Sequence, residues 1–205
     1  MVLVIGICGG SGSGKSTFAS HLAEVLGPIN CSILPLDCYY KDFTLPRSGP
    51  EEVNYDHPDS IDLELFAEHL MNLRDGREVF CPVYDYVIHK RLNRKRIVPN
   101  QYILAEGLFL FNMDILEELT DIRIYIDTPE ELRLERRIRR DTCERGRTKI
   151  SVIDQFNLQV RPMHHRYVVP NRDLAQIIIR GDQPYHDHSI EPVLKLIAEI
   201  SRNNY

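Results

Sequence analysis

Two groups of residues in this chain have the chemistry to handle phosphate. The stretch Gly9-Gly10-Ser11-Gly12-Ser13-Gly14-Lys15-Ser16-Thr17 fits the pattern G-x-x-x-x-G-K-[ST] of a phosphate-binding loop. Glycines let the backbone curl until several N–H groups face one point. A following helix adds its partial positive charge, and Lys15 places a full charge among the oxygens. Ser16 is placed to hold Mg2+ through its hydroxyl, whereas Thr17 points into the first helical turn and packs or caps there. The second group is arginine: Arg133, Arg136, Arg137, Arg139, Arg140, Arg145 and Arg147 exceed what a helix C-terminus requires. Arg133, Arg137 and Arg140 share one helical face by their spacing. They suit a lid over a triphosphate, neutralising charge on the transferring group; a salt-bridged or nucleic-acid-binding face is the alternative.

Carboxylates and aromatics supply the rest. Asp37 and Glu106 each follow a strand pattern, and in open α/β sheets ligands sit beyond the carboxyl ends of strands. Asp37 could take the proton of an attacking hydroxyl or simply cap a turn, and Glu106 suits the metal shell. Tyr39, Tyr40 and Tyr55 with Asp56 combine base stacking with hydrogen bonding to a sugar diol; a surface turn is the rival. Tyr84, Tyr86 and Ile88 alternate onto one face and could line an aromatic pocket, with His89 at its rim or merely solvated.

These residues need elements to hold them. Val2, Leu3, Val4, Ile5 and Ile7 read as a buried strand before the glycine loop, and Phe18, Ala19, Leu22, Ala23, Val25 and Leu26 as the helix after it. Cys31 to Leu36 reads as a second strand ending in Asp37, and Cys38 to Pro58 as a long ordered loop. Leu63, Phe66, Leu70 and Leu73 give an amphipathic helix stopped at Asp75-Gly76. Glu78 to Cys81 and Arg94 to Val98 are short extended pieces of a hairpin, with Lys90 to Arg96 a solvated basic edge. Tyr102 to Ala105, Ile122 to Asp127 and Leu174 to Ile179 are further strands. Thr128-Pro129-Glu130-Glu131 predicts a capping box opening a helix at Pro129. Ile150 to Val168, bearing Gln155 and Arg161 and kinked or interrupted at Pro162, and Ser189 to Ser201 are the last helices. The expected architecture is α/β: a five-stranded parallel sheet with helices on both faces, in one domain over 1–205. A hairpin excursion (about 77–99) and an arginine-rich lid helix (about 129–149) complete it.

Composition narrows the classes. At 43% hydrophobic and 27% charged, 205 residues are ordinary for a globular chain long enough to bury about 70% of its unfolded surface. A net charge of −5 argues against a nucleic-acid coat, and no apolar run approaches the ~18 residues of a membrane span. Cys8, Cys31, Cys38, Cys81 and Cys143 lack C-x-x-C spacing and fit reduced thiols, Cys8 and Cys31 in the core; a cytoplasmic protein is expected. His186 and His188 lack companions for a metal and read as surface residues.

The chain resembles the uridine kinase (uridine-cytidine kinase) family of P-loop kinases over nearly its whole length. The resemblance rests on the glycine loop, Asp37-Cys38-Tyr39-Tyr40-Lys41-Asp42, Asn54-Tyr55-Asp56-His57-Pro58, Pro82 to Tyr86 with His89, Glu106-Gly107, Arg136 to Asp141 through Glu144 to Arg147, and Arg161-Pro162. It implies transfer of the γ-phosphoryl of ATP or GTP, with Mg2+, to the 5′-hydroxyl of uridine or cytidine in pyrimidine salvage. It further implies Asp37 as base, Asp56 on the ribose diol and Tyr84 and His89 at the nucleobase, with Tyr55, Tyr86 and Arg147 close by. Arg137 and Gln155 would touch the sugar side, Arg140 and Arg145 the triphosphate, and the chain would form a homo-oligomer, a tetramer in relatives. Arg180-Gly181-Asp182 departs from the family's Arg-Gly-Gly, where donor-base contacts are made. Leu108-Phe109-Leu110-Phe111 is similar to the nicotinamide riboside kinases, the alternative among enzymes. A nucleotide-dependent regulatory P-loop protein is the non-enzymatic alternative.

Overall fold

In the computed structural model, which describes residues 2–42 and 53–203, every residue of the first strand, β1 (Leu3–Gly9), is buried. Of the long loop expected between Cys38 and Pro58, residues 43–52 lie outside the described residues. β1 is apolar on both faces because both are covered. Leu3, Ile5 and Ile7 pack against Phe18 and Leu22 of α1 (Lys15–Leu26) and Ile190 and Val193 of α8 (Asp187–Asn203). Val4 and Cys8 face the other layer, with Phe66 and Leu70 of α2 (Leu63–Arg74). Each such side chain contributes about 1.5–3 kcal/mol on full burial. Asp62 caps α2, accepting from the Leu65 amide at 3.2 Å.

The five-stranded sheet is parallel throughout, in the order β2-β5-β1-β6-β7, where β2 is Cys31–Pro35, β5 Tyr102–Gly107, β6 Ile122–Asp127 and β7 Ile177–Arg180. β1 leads outward to β2, β5 returns between them, and β6 crosses to the other side. The strand order therefore reverses at β1, which opens a crevice at the carboxyl ends. Glu106 pairs in register with both Ile7 and Pro35, so the glycine loop, the Asp37 segment and Glu106 leave the sheet at one edge.

Asp37 is not a strand terminus. β2 stops at Pro35, and Leu36–Tyr39 forms a 3-10 turn packed against Gly107, where a Cβ would meet the Leu36 Cβ at 2.4 Å. The hairpin is longer than its two expected pieces: β3 (Val79–Asp85) pairs with β4 (Lys90–Ile97), with an irregularity at Val83/Tyr84. Its turn is held by Asp85 Oδ1, which accepts from the Val87 and Ile88 amides. The alternation Tyr84, Tyr86, Ile88 breaks there, and Ile88 is exposed instead of lining a pocket.

Other differences have local causes. A short helix, α3 (Asp114–Glu118), was not anticipated. α4 spans Glu130–Glu144 with Pro129 at the cap position; Thr128 does not close a capping box, because its hydroxyl donates to the Ser13 carbonyl at 2.9 Å. Pro162 does not interrupt its helix: α5 (Lys149–Gln155) and α6 (Arg161–Met163) are joined and followed by π-type turns at Phe156–Val160 and His164–Val168. Wide turns absorb the amide that proline lacks. β7 starts later than expected because Asn171–Leu174 is helical (α7). Leu108 to Phe111 is core, at most 5% exposed. Cys8 is buried and Cys31 only half-buried. Among the described residues no helix is long and apolar enough to cross a membrane.

Gly107→Ala is expected to cost about 1–3 kcal/mol by overpacking, read from urea unfolding, and to lower turnover because the displaced atoms belong to the turn carrying Asp37.

Candidate active site

The glycine loop is shaped by what binds its carbonyls. Thr128 Oγ1 donates to Ser13 O at 2.9 Å, Arg136 Nη1 to the same oxygen at 3.3 Å, and the Tyr185 hydroxyl to Gly14 O at 3.3 Å. Gly12 is left-handed (φ 77°), and a Cβ there would lie 2.4 Å from the Arg133 carbonyl, so α4 rests directly on the loop. The first turn of α1 carries no side-chain cap and no acidic residue, leaving its amides for an anion. Lys15, nearly buried, donates to Gly10 O at 3.1 Å.

Beside the loop, Ser16 Oγ donates to Glu106 Oε1 at 2.7 Å. Burial first, and the Asp37 carboxylate second, push the Glu106 carboxyl above its usual range, against Lys15 and the Ser16 hydrogen bond. Asp37 Oδ1 is buried and has no hydrogen-bond partner, while the Tyr86 hydroxyl donates to the Asp37 carbonyl at 3.2 Å. Hard oxygen donors around a nearly buried lysine suit Mg2+, which takes one or two carboxylates and completes its shell with phosphate and water. Among the described residues no group of three or more His, Cys, Asp or Glu would cage a metal unaided.

Arginines close the opposite side. Asp141, 1% exposed, sits among Arg140 at 2.8 Å, Arg137 at 3.4 Å and Arg145 at 3.5 Å. Burial alone would raise its carboxyl; the three guanidiniums overcome this and hold it below the usual range. Arg137 also donates to Ser11 Oγ at 2.9 Å and Gln155 Oε1 at 3.0 Å, and reaches Asp56 at 3.4 and 3.5 Å. Arg147 shares the same Gln155 oxygen.

The third wall is aromatic. Tyr55 stacks on His89 with centroids 4.7 Å apart, Tyr40 and Tyr86 each lie 5.3 Å from Tyr84, and Arg145 sits 4.1 Å over the Tyr86 ring. Burial, aided by Arg145 and Arg147, pushes the His89 imidazole below its usual value and keeps it neutral. His89 is left-handed (φ 56°), a strained backbone at the hairpin tip. Tyr84 carries a buried hydroxyl with no partner.

Loop, arginines and aromatics enclose one cleft of about 650 Å³, lined by Ser11, Gly12, Gly14, Lys15, Ser16, Asp37, Tyr40, Tyr55, Asp56, Tyr84, Tyr86, His89, Arg137, Arg140, Arg145, Arg147 and Gln155. Gly9, Gly10, Ser13 and Glu106 shape it from behind. Thr17 is exposed and faces the cleft rather than packing inward. Arg133 shares the buried face of α4 with Arg137 but does not line the cleft: it backs onto Gly10 beside His164, whose imidazole burial pushes down to about 3. Arg136, counted from sequence only as one of the arginine cluster, lines both this cleft and a second hollow of about 630 Å³ with Gly181, Asp182 and Tyr185. Its doublet with Arg137 was the available signal. Asp141 entered the sequence reading only as the end of the Arg136 to Asp141 stretch, and Tyr185 gave no signal.

A parallel sheet whose first strand runs into G-x-x-x-x-G-K-S and a helix, with carboxylates and arginines around that loop, defines a P-loop kinase. A family model described as "Phosphoribulokinase / Uridine kinase family" matches residues 4–184. A uridine kinase of Borreliella burgdorferi (strain ZS7) is 41% identical over 203 residues, covering 98% of this chain and 97% of that one. One from Staphylococcus haemolyticus is 42% identical over 178 residues, covering 86% of each. A phosphoribulokinase from Rhodobacter spheroides shares the fold, with a TM-score of 0.65 at 15% identity over 87% of this chain and 70% of its own. The chain belongs to the phosphoribulokinase/uridine kinase family.

The raised Glu106 carboxyl has a stability consequence. A folded-state pKa above the unfolded value of about 4.3 favours folding below that pH and opposes it as pH rises through the folded value. Glu106→Gln should therefore raise the thermal midpoint of the nucleotide-free protein near pH 8, the gain vanishing toward about pH 4, while weakening Mg2+-dependent activity. Thermal unfolding at both pH values checks the sign.

Proposed function

We propose that the chain transfers the γ-phosphoryl of ATP or GTP to the 5′-hydroxyl of uridine or cytidine, as a single kinase domain with a hairpin insert and an arginine-rich lid. The observation that carries this reading is the buried, unpartnered Asp37 Oδ1 in one cleft with Lys15 and the Tyr84/His89 wall. The loop amides and Lys15 hold the β- and γ-phosphates, and Ser16 and Glu106 hold Mg2+. Held by Ser16 and Glu106, Mg2+ would supply positive charge against the negative charge that develops on the phosphates. The nucleobase lies against Tyr84, Tyr55 and Tyr86, with Tyr40 behind them, and the neutral His89 meets its edge as donor or acceptor. Asp56 and Arg137 take the ribose, with Gln155 and Arg147 locking Arg137 in place.

The 5′-oxygen then bonds to the γ-phosphorus as the bond to the bridging oxygen breaks, and its proton passes to Asp37. Arg137, Arg140 and Arg145 neutralise the equatorial oxygens and the departing diphosphate. The second hollow, floored by Gly181 and Tyr185, would receive the donor's base. Phe80, Val83 and Leu92 leave apolar surface on the hairpin, in keeping with association between copies of the chain.

Asp37→Asn should leave ATP binding nearly intact and lower turnover by orders of magnitude, since only the transition state uses the acceptor; transfer of labelled γ-phosphate to uridine measures it. Equal turnover on nicotinamide riboside, or none on any nucleoside, would overturn the reading. His89→Ala should raise KM for uridine and cytidine far more than for ATP; equal losses would remove His89 from the base pocket.

A further inference from the structure

The run Lys90 to Arg96 reads as a solvated basic edge, and its six other residues are all exposed, but Arg91 turns inward. Its Nη2 donates to the Tyr39 carbonyl at 2.7 Å and its Nε to the Tyr40 carbonyl at 2.8 Å. Both terminal nitrogens reach Asp62 Oδ2 at 3.3 Å, and its backbone amide donates to Asp42 Oδ1 at 2.7 Å. Asp62 is itself the cap of α2, and its amide donates to the same Tyr39 carbonyl at 2.9 Å. One guanidinium thus fastens the exit of the 3-10 turn that begins at Leu36 and carries Asp37.

The other end of that turn also depends on the hairpin, through the Tyr86 hydroxyl on the Asp37 carbonyl at 3.2 Å. The turn's own backbone offers little restraint, because four residues of 3-10 geometry form few internal bonds and Asp37 Oδ1 has no partner. Arg91 lies two residues beyond His89, whose strained backbone forms the tip that would meet the nucleobase.

We infer that Arg91 is a positioning residue for phosphoryl transfer: through the Tyr39 and Tyr40 carbonyls it fixes the turn that presents Asp37, and so links occupancy of the hairpin to placement of the proton acceptor. This rests on the kinase reading above. The guanidinium is needed for its shape, since a planar fork meets two carbonyls and a carboxylate at once and a single ammonium cannot span them.

Arg91→Lys keeps the charge beside Asp62 and loses the span. Its kcat should fall about 10- to 100-fold, as for a catalytic group displaced by about an ångström. KM for ATP and the thermal midpoint should stay near wild type. In an Asp37→Asn background the same substitution should change the residual rate by less than about twofold, because residues that act as a unit are not additive. Asp62→Asn, which retains the helix cap and weakens only this ion pair, should repeat the pattern more mildly and serves if Arg91→Lys folds poorly. An equal fall in both backgrounds, or a change confined to nucleoside KM, overturns the inference. Full turnover by Asp37→Asn would instead remove the proton acceptor itself.

Discussion

Arg137 ties together parts of the chain that are far apart in sequence: the glycine loop at Ser11, the segment at Asp56, its own helix at Asp141, and Gln155 on α5. Arg137, Asp56 and Asp141 are all nearly buried. Taking such charges from water costs several kcal/mol per ion, so pairing them gives little net stability. It does make the arrangement nearly obligatory, because losing one partner leaves a charge stranded in low dielectric. The cleft is thus assembled by mutual need among charges rather than by strong attraction, and the apolar layers on both faces of β1 supply the stability that carries it.

The same reasoning explains why the opposite wall is under tension. Burial first, and the Asp37 carboxylate second, make the Glu106 carboxyl hold its proton more tightly, and Lys15 and the Ser16 hydroxyl only partly offset them. Such a site is poorly satisfied alone and well satisfied with a cation and phosphates in place. Its unmet electrostatics are the complement of the charges it would receive.

Much of this was legible because it is local. The glycine loop, the five apolar strands and the arginine run announce themselves through spacing within a few residues, and Asp37, Asp56, Tyr84 and His89 do line one cleft. What failed depends on partners far along the chain. Thr128 looks like a helix cap until Ser13, 115 residues away, takes its hydroxyl. Arg133 shares a helical spacing with Arg137 yet lies behind the loop, since helical phase says nothing about which neighbour covers a face. Asp141 looks like any surface acid in a charged helix, and only the convergence of three guanidiniums makes it a hub. Leu108 to Phe111, suggestive in sequence, is plain packing.

Among the described residues, the hairpin between α2 and β5 forms a separate two-stranded sheet and its strands pair with neither edge strand of the five-stranded one. With its tip against the acceptor, as proposed above, such an appendage is a natural place for a lineage to trade one acceptor for another while the phosphate machinery stays as it was. The trade is not free, because the appendage also braces the turn that carries Asp37. Any replacement must bring its own brace, so drift in ligand preference within this architecture is channelled toward changes at the tip, with the stem left alone.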